Sequence, residues 1–218
     1  MVKTDVGDGG GRPALDLQAA PPWDQRIEGT RVVYGPGRLG ELGRLAGELA
    51  GRRALVVSDR GIEAAGHAER ALESLEAAGL EVAIFTDVDE NPSEEHVEAG
   101  VAAARGIAAD LLVAVGGGSP MDCAKGINFV VTNGGAIADY EGFGHTTVPL
   151  LPAIGVPTTA GTGSEAQSYA LIADAATHRK MACGAPDARF RAVILDPSLT
   201  DSLPRDVAAA AGLDAVSH

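Results

Sequence analysis

Aromatic residues and cysteines are both scarce in this sequence. Phe, Trp and Tyr make up 4% of the 218 residues, so the core has to be built mainly from Ala, Val, Leu and Ile. The two cysteines, Cys123 and Cys183, are too few for a disulfide framework. We therefore expect free thiols in a reducing compartment, and hence a cytoplasmic protein.

Positive charge is also in short supply. The chain has 17 Lys and Arg residues against 30 Asp and Glu residues, which gives a formal net charge of −13. Nucleic acids and anionic membrane surfaces attract basic proteins, so neither is an expected partner. The sequence also lacks an apolar run long enough to span a bilayer, and its first residues do not form a basic-then-apolar signal peptide.

Periodicity is missing from residues 1–22, which include the run Gly-Asp-Gly-Gly-Gly. We expect these residues to form a disordered lead-in. The chain as a whole is 45% hydrophobic and 22% charged, a composition typical of a soluble globular protein. Its length suits one large domain or two small ones.

After residue 30, short apolar runs alternate with segments of helical periodicity. The predicted strands are 31–34, 53–59, 81–85, 110–115, 169–173 and 192–195. The predicted helices are 38–50, 61–78, 93–107, 119–132 and 206–218, and residues 174–180 form a hairpin-like connection. Alternation of this kind predicts an α/β fold, a Rossmann-like parallel sheet with flanking helices and right-handed crossovers.

The stretch from Asp110 to Lys125 is the most informative part of the sequence. It begins as an apolar run typical of a buried parallel strand. Three glycines, 116–118, then allow a sharp turn and the close approach of a ligand. A helix follows, with Ser119 predicted as its N-cap and Asp122 as part of a capping box. Free N–H groups at the start of a helix bind anions, and the usual anion is a phosphate.

The glycine turn departs from the dinucleotide fingerprint G-x-G-x-x-G, because Met121 takes the place of the last glycine. A tight strand-to-helix turn that binds no ligand is therefore the alternative to a phosphate site.

Two further segments are candidates for the same ligand. Asp59 ends a predicted strand, where an acid can accept hydrogen bonds from ribose hydroxyls and repel a 2′-phosphate. The alternative is an acid that caps the helix beginning near Gly61. The loop 157–165 is rich in hydroxyl groups and glycine, so it is either a ligand-contacting loop or a surface turn.

Asp214 and His218 are four residues apart in a predicted helix, so both lie on one helix face. A carboxylate and an imidazole suit Fe²⁺ or Zn²⁺, and an exposed surface pair is the alternative. The other histidines, His67, His96, His145 and His178, show no such spacing and are expected at the surface.

Three motifs occur in a characteristic order. They are Gly-Gly-Gly-Ser-Pro-Met-Asp at 116–122, Pro-Thr-Thr-Ala-Gly-Thr-Gly-Ser-Glu at 157–165 and Gly-Leu-Asp-Ala-Val-Ser-His at 212–218. Asn91-Pro92 precedes all three. Together they resemble the iron-containing (group III) alcohol dehydrogenases, and the resemblance extends from Arg31 to the last residue.

The resemblance implies an NAD-binding α/β domain of the dehydroquinate synthase-like kind at residues 23–203. It also implies an all-helical C-terminal domain, of which residues 204–218 would be the start. The family's metal lies between the two domains.

The resemblance further implies a role for each matching residue. Asp59 would hold the adenosine ribose, and Gly117, Gly118 and Ser119 would hold the pyrophosphate. The other residues implied in the cofactor site are Asn91, Asp122, Thr158, Thr159, Thr162, Lys180 and Leu199. Asp214 and His218 would be the first two ligands of a divalent metal, Fe²⁺ or alternatively Zn²⁺.

The activity that the resemblance implies is the NAD-dependent oxidation of an alcohol, or the reduction of an aldehyde or ketone, in a homo-oligomeric parent protein. Family members bind the metal through an Asp and three His, whereas this sequence stops at His218. We therefore expect a fragment or truncated product that is inactive alone. Gln167 also replaces a hydroxyl residue that is common in the family. The alternatives are a non-catalytic nucleotide-binding fragment and a relative such as a glycerol dehydrogenase or maleylacetate reductase.

Overall fold

A computed structural model of the protein describes residues 21–175, 177 and 179–217. Apart from Pro21 and Pro22, the predicted lead-in lies outside the described residues. The predicted metal ligand His218 also lies outside them.

The described residues form a seven-stranded and a three-stranded sheet. In chain order the strands are β1 (Trp23–Ile27), β2 (Thr30–Tyr34), β3 (Arg53–Val57), β4 (Glu81–Phe85), β5 (Leu111–Gly116), β6 (Gly142–Phe143), β7 (Ala153–Pro157), β8 (Tyr169–Ala173), β9 (Lys180–Gly184) and β10 (Ala192–Leu195).

The α-helices of the same residues are α1 (Leu42–Glu48), α2 (Arg60–Ala64), α3 (His67–Ala77), α4 (Glu94–Gly106), α5 (Gly118–Asn133) and α6 (Arg205–Ser217). Short 3-10 helices occupy Arg38–Glu41, Ile137–Tyr140 and Pro197–Thr200. Across the described part of the chain, none of the helices combines the length and the apolar character needed to cross a membrane.

The larger sheet has the strand order β1-β2-β10-β7-β5-β3-β4. All of its neighbouring pairs are parallel except the antiparallel pair of β1 and β2. The chain places β4 outside β3 and then returns to place β5 on the other side of β3, so the direction of winding reverses between β3 and β5. The predicted α/β fold with a parallel sheet is confirmed.

Strand β5 lies at the centre of this sheet and separates two cores. Leu112 and Ala114 pack into a core with α4, α5 and the smaller sheet, whereas Leu111, Val113 and Val115 pack into a core with α1 and α3. Both faces of the strand are therefore covered, which explains its uninterrupted apolar sequence.

The register of β5 places the glycine turn beside the loop that follows β7. Gly116 is aligned with Pro157 across this strand pair, and on the other side Ala114 is aligned with Val57 of β3. Because these strands are parallel, the turns after all three meet at one edge of the sheet.

One predicted helix is wrong in its extent. The segment 61–78 is divided into α2 and α3 by Gly66, whose φ of 77° lies in the left-handed region. A residue in that region cannot continue a right-handed helix, and glycine adopts it without a steric penalty.

Several strands are absent from the sequence prediction. Strand β7 is bounded by Pro152 and Pro157, and prolines close to an apolar run argue against a central strand. Strands β1, β6 and β9 were not predicted either. By contrast, the predicted strands 169–173 and 192–195 match β8 and β10. The predicted hairpin-like connection 174–180 follows β8, which pairs with β9 in the antiparallel direction.

Candidate cofactor-binding site

A cavity of about 590 Å³ opens at the carboxyl edge of the larger sheet. Its walls are the loops that follow β3, β4, β5 and β7, together with residues around the start of α6. The lining includes Asp59, Arg60, Asp89, Glu90, Gly117, Ser119, Thr158 and Thr159. In open α/β sheets ligands bind outside the carboxyl ends of the strands, at the point where the strand order reverses, and this cavity occupies that position.

The glycine turn requires glycine at two positions. Gly116 has a φ of 149°, and a Cβ there would lie 2.6 Å from Cγ of Pro120. A Cβ on Gly117 would lie 3.1 Å from Oγ1 of Thr159. Larger residues would therefore crowd Pro120 at the first position and the loop after β7 at the second, which agrees with the predicted tight turn, while ligand binding by this turn stays a prediction.

The predicted cap of the following helix is wrong. The N-cap of α5 is Gly117 rather than Ser119, and no side chain bonds to this cap. Asp122 therefore does not form a capping box with Ser119. An N-terminus without a side-chain cap leaves its first backbone N–H groups for another acceptor, which favours an anion at this end of α5.

Ser119 instead joins two parts of the site. Its Oγ accepts a hydrogen bond from the backbone N–H of Asn91 at 3.3 Å. Asn91 has a φ of 57°, a left-handed conformation that asparagine tolerates better than most residues. The structure thus brings together Asn91 and Ser119, which are both predicted site residues.

We expect Ser119→Ala to weaken NADH binding by about two- to tenfold, because it removes one neutral hydrogen bond worth about 0.5–1.5 kcal/mol. Fluorescence titration with NADH measures the change. Ser74→Ala is the matched control, since Ser74 Oγ also bonds to backbone groups but lies between α3 and the Gly40–Gly43 turn. An unchanged dissociation constant for Ser119→Ala would place this residue outside the site.

Asp59 has one of the two roles that its sequence position suggested, the cap of α2, while its contact with a ribose stays a prediction. Its Oδ1 accepts from the N–H of Ile62 at 2.9 Å and so caps α2. Its Oδ2 lies 3.5 Å from the position of a Cβ on Gly116, and the residue lines the cavity. One carboxylate oxygen is therefore used by the fold, while the other is directed toward the glycine turn.

Buried hydroxyl groups mark the wall of the cavity formed by the loop after β7. Oγ1 of Thr158 and Oγ1 of Thr159 are both buried and have no hydrogen-bond partner among the described residues. Such groups are costly unless a ligand or water satisfies them. Together with the glycine cradle and the uncapped helix, they fit a polar ligand with phosphate and ribose groups, which is the chemistry of a dinucleotide.

Thr162 and Gly118 are also close to each other. The Cβ of Thr162 lies 3.5 Å from the position of a Cβ on Gly118, and Oγ1 of Thr162 accepts from the N–H of Ser164 at 3.4 Å. The loop therefore faces the first residue of α5 directly.

Asp122 lies beneath the cavity rather than in its lining. The residue is 7% exposed, and burial raises the pKa of its carboxyl group to about 6, an effect that nearby Lys125 opposes. Its Oδ1 is buried and has no hydrogen-bond partner among the described residues. Contact between Asp122 and a cofactor stays a prediction.

Two other predicted cofactor residues lie away from the cavity lining. Lys180 is exposed at the start of β9. Leu199 is fully buried in the core shared with α1 and α3, so its side chain serves packing. Their assignment to the cofactor site likewise stays a prediction.

Two functional candidates were missed by sequence reasoning. His67 was expected at the surface, but it is 5% exposed and its Nε2 lies 2.7 Å from Oγ of Ser202, a residue of the cavity wall. Burial lowers the pKa of His67. Lys125 is the other, and it is 2% exposed. The signal for Lys125 was a lone lysine within the apolar helix that follows the glycine turn.

The predicted metal site is only partly within the described residues. Asp214 lies on α6, whereas His218 lies outside them. The described residues contain no group of three or more His, Cys, Asp or Glu side chains that could hold a metal ion.

A strand–glycine turn–helix unit at the reversal point of a parallel sheet defines an α/β protein of the dinucleotide-binding type. The family model described as iron-containing alcohol dehydrogenase matches residues 29–197. The chain belongs to this family, as the sequence motifs predicted.

Individual relatives have names that agree with this family. The chain is 37% identical over 186 residues to an NAD-dependent methanol dehydrogenase of Bacillus methanolicus. The aligned region covers 85% of this chain and 49% of the relative. The chain is also 37% identical over 187 residues to a 1,3-propanediol dehydrogenase of Klebsiella pneumoniae, with 85% and 48% covered. The chain thus spans about half the length of these relatives.

Solved structures agree on the fold. A 1,3-propanediol oxidoreductase superposes with a TM-score of 0.83 at 35% identity, covering 91% of this chain and 51% of that protein. A sulfoacetaldehyde reductase from Bifidobacterium kashiwanohense, solved in complex with NAD⁺, gives a TM-score of 0.77 at 29% identity, with 87% and 50% covered.

Proposed function

We propose that this chain forms the NAD-binding part of a dehydrogenase that oxidises a small alcohol, or reduces an aldehyde or ketone. The observation that carries the proposal is the cavity at the reversal point of the sheet, with its glycine turn and unpartnered Thr158 and Thr159 hydroxyls. Support also comes from relatives named as NAD-dependent methanol dehydrogenase and 1,3-propanediol dehydrogenase.

In this proposal the chain's residues bind and orient the dinucleotide. Backbone N–H groups at the start of α5, at Gly118 and Ser119, hold the pyrophosphate. Asp59 accepts hydrogen bonds from the adenosine ribose through Oδ2. The hydroxyls of Thr158 and Thr159 donate to the dinucleotide from the opposite wall. The nicotinamide ring supplies the hydride chemistry when NAD is bound.

For the metal we propose Fe²⁺, with Zn²⁺ as the alternative, and Asp214 and His218 as two of its ligands. The description of the family as iron-containing supports Fe²⁺. The described residues supply only Asp214, so the rest of the ligand set has to come from outside them.

We also propose the substrates, the oligomeric state, the location and the excluded partners of the protein. Small alcohols and carbonyl compounds are the proposed substrates, and the full-length protein is proposed to be a homo-oligomer. A cytoplasmic location is supported by the free, buried thiols of Cys123 and Cys183. The net charge of −13 argues against nucleic acid and anionic membrane as partners.

A non-catalytic nucleotide-binding module is the second candidate function. The favouring observation is that the described residues form a nucleotide-sized cavity but no metal-ligand cluster. Both functions predict NAD binding, but only the dehydrogenase predicts turnover of an alcohol.

The proposed site should bind NADH at least about tenfold more tightly than NADPH. Asp59 disfavours a 2′-phosphate, and the neighbouring cation Arg60 is paired with Asp87 at 2.9 Å. Calorimetric titration with both cofactors measures the ratio, and equal or tighter NADPH binding would contradict the placement of the ribose.

Asp59→Asn is the informative variant for this test. Asparagine also caps helices well, so α2 is retained while the negative charge is lost, and the preference for NADH should shrink. Glu76→Gln removes a carboxylate from an exposed position of α3, away from the cavity lining, and serves as the charge-matched control.

A further inference from the structure

A buried lysine of α5 holds the loop that follows β7 from below. The ammonium of Lys125 donates to the carbonyl oxygens of Ser164 at 2.6 Å, Gln167 at 2.8 Å and Tyr169 at 2.9 Å. Asp122 lies almost one helical turn earlier on α5, and its carboxyl group is also buried. The segment 164–169 is therefore attached to α5 at three backbone carbonyls.

The ammonium of Lys125 is fully used in this arrangement. A lysine has three N–H donors and no acceptor, and each donor has one carbonyl partner. The charge also lies 5.2 Å from the centre of the Phe190 ring, within the range of a cation–π contact. Burial lowers the pKa of Lys125 to about 8, which leaves the ammonium the main form at neutral pH.

Asp122 compensates for the buried positive charge. A buried ion is costly unless it is paired or well hydrogen-bonded, and these residues face the same segment from consecutive positions on one helix face. Ser164 and Gln167 belong to the loop, and Tyr169 is the first residue of β8, so the three bonds of Lys125 fix the position of the loop relative to α5.

The same two elements form opposite walls of the cavity. Helix α5 begins at the glycine turn, while the loop carries Thr158, Thr159 and Thr162. A Cβ on Gly117 would already be 3.1 Å from Oγ1 of Thr159, so a small displacement of the loop changes the width of the cleft.

We infer that Lys125 is a positioning residue of the nucleotide site, which holds the loop 158–169 at the distance from the glycine turn that a bound dinucleotide requires. This inference rests on the proposed NAD-binding function. In it, Lys125 makes no contact with the cofactor and acts through the loop.

The test compares NADH and AMP binding to the full 218-residue chain and to its Lys125→Met variant. AMP contains the adenosine and one phosphate, which we place against Asp59 and the glycine turn, but lacks the second phosphate and the nicotinamide riboside. We expect the dissociation constant for NADH to rise at least about tenfold, since three charge-assisted hydrogen bonds are lost, while that for AMP changes less than about twofold. Arg105→Met, which removes an exposed positive charge at the end of α4, should change neither.

The possible failures are distinguishable. If the unmodified chain does not bind NADH, the proposed function is wrong. If the unmodified chain binds NADH and folded Lys125→Met binds it equally well, only the present inference is overturned. Equal weakening of NADH and AMP would indicate a general structural role and would also overturn it.

A second variant covers the case in which Lys125→Met does not fold. Lys125→Gln replaces the ammonium by a neutral amide, which keeps two N–H donors beside the same carbonyls but loses the charge. We expect it to weaken NADH binding by about threefold, with AMP binding unchanged. Unchanged binding of both ligands would contradict the role of this attachment.

Discussion

Gly118→Val is expected to abolish NADH binding while the chain still folds. Gly118 is the first residue of α5, and its φ is not positive. A Cβ there would lie 3.4 Å from Oγ of Ser164 and 3.5 Å from Cβ of Thr162, which is ordinary van der Waals contact. The two further methyl groups of valine would extend into the narrow space between turn and loop, where the pyrophosphate is proposed to bind.

The expected loss of affinity for Gly118→Val is at least about 100-fold, or about 2.7 kcal/mol. Calorimetric titration with NADH measures the loss, and circular dichroism verifies that the variant is folded. Gly118→Ala should retain measurable binding, because its Cβ fits. Gly47→Val is the matched control for the substitution itself, since no atom lies within 4 Å of a Cβ at this exposed position of α1. Normal NADH binding by folded Gly118→Val would mean that the phosphate turn is placed wrongly.

The polypeptide of residues 1–218, produced by itself, is expected to bind NADH but to turn over no alcohol and to retain metal poorly. Only two of the predicted metal ligands, Asp214 and His218, belong to this sequence, and three or more protein ligands are usual. Water would have to complete the coordination. Helix α6 also exposes Leu213 and Val216, at 74% and 87%, which favours association through apolar surface.

The measurement is metal analysis and an NADH absorbance assay with primary alcohols and diols, with Fe²⁺ supplied anaerobically. Fusion to the C-terminal half of a related 1,3-propanediol dehydrogenase should increase metal retention and turnover together. Asp214→Asn should abolish both in the fusion without changing NADH affinity. Robust turnover by residues 1–218 alone would show that further ligands come from this chain, with His145 and His178 as candidates, or from a second copy.

The candidate site was predictable where its residues act locally. The strand, glycine turn and helix around 110–125 form one continuous segment, so their apolar pattern and glycines predicted β5, the turn and α5. Asp59, Gly117, Ser119, Thr158 and Thr159 line one cavity, as expected if they contact one ligand. The predicted N-cap, Ser119, was wrong, because α5 is capped two residues earlier, at Gly117. The Ser119 hydroxyl accepts from the backbone N–H of Asn91 and does not cap the helix.

Other features depend on neighbours that are distant in the sequence. Nothing in the residues around Lys125 indicates that its ammonium bonds to three carbonyls about 40 residues later, at separations of 39, 42 and 44. The burial of His67 depends on Ser202, which lies 135 residues away. Strand β7 was hidden by its prolines, although it lies between β5 and β10 in the sheet.

By itself, the sequence determined the α/β class, the glycine turn and the family, because each depends on local periodicity or on motifs that are contiguous in the chain. Only the tertiary structure decided the strand order, and with it which loops meet at the carboxyl edge of the sheet. It also decided that Lys125 attaches the loop after β7 to α5. The physical reason is that hydrogen bonding and burial of these side chains depend on packing between segments that the sequence places far apart.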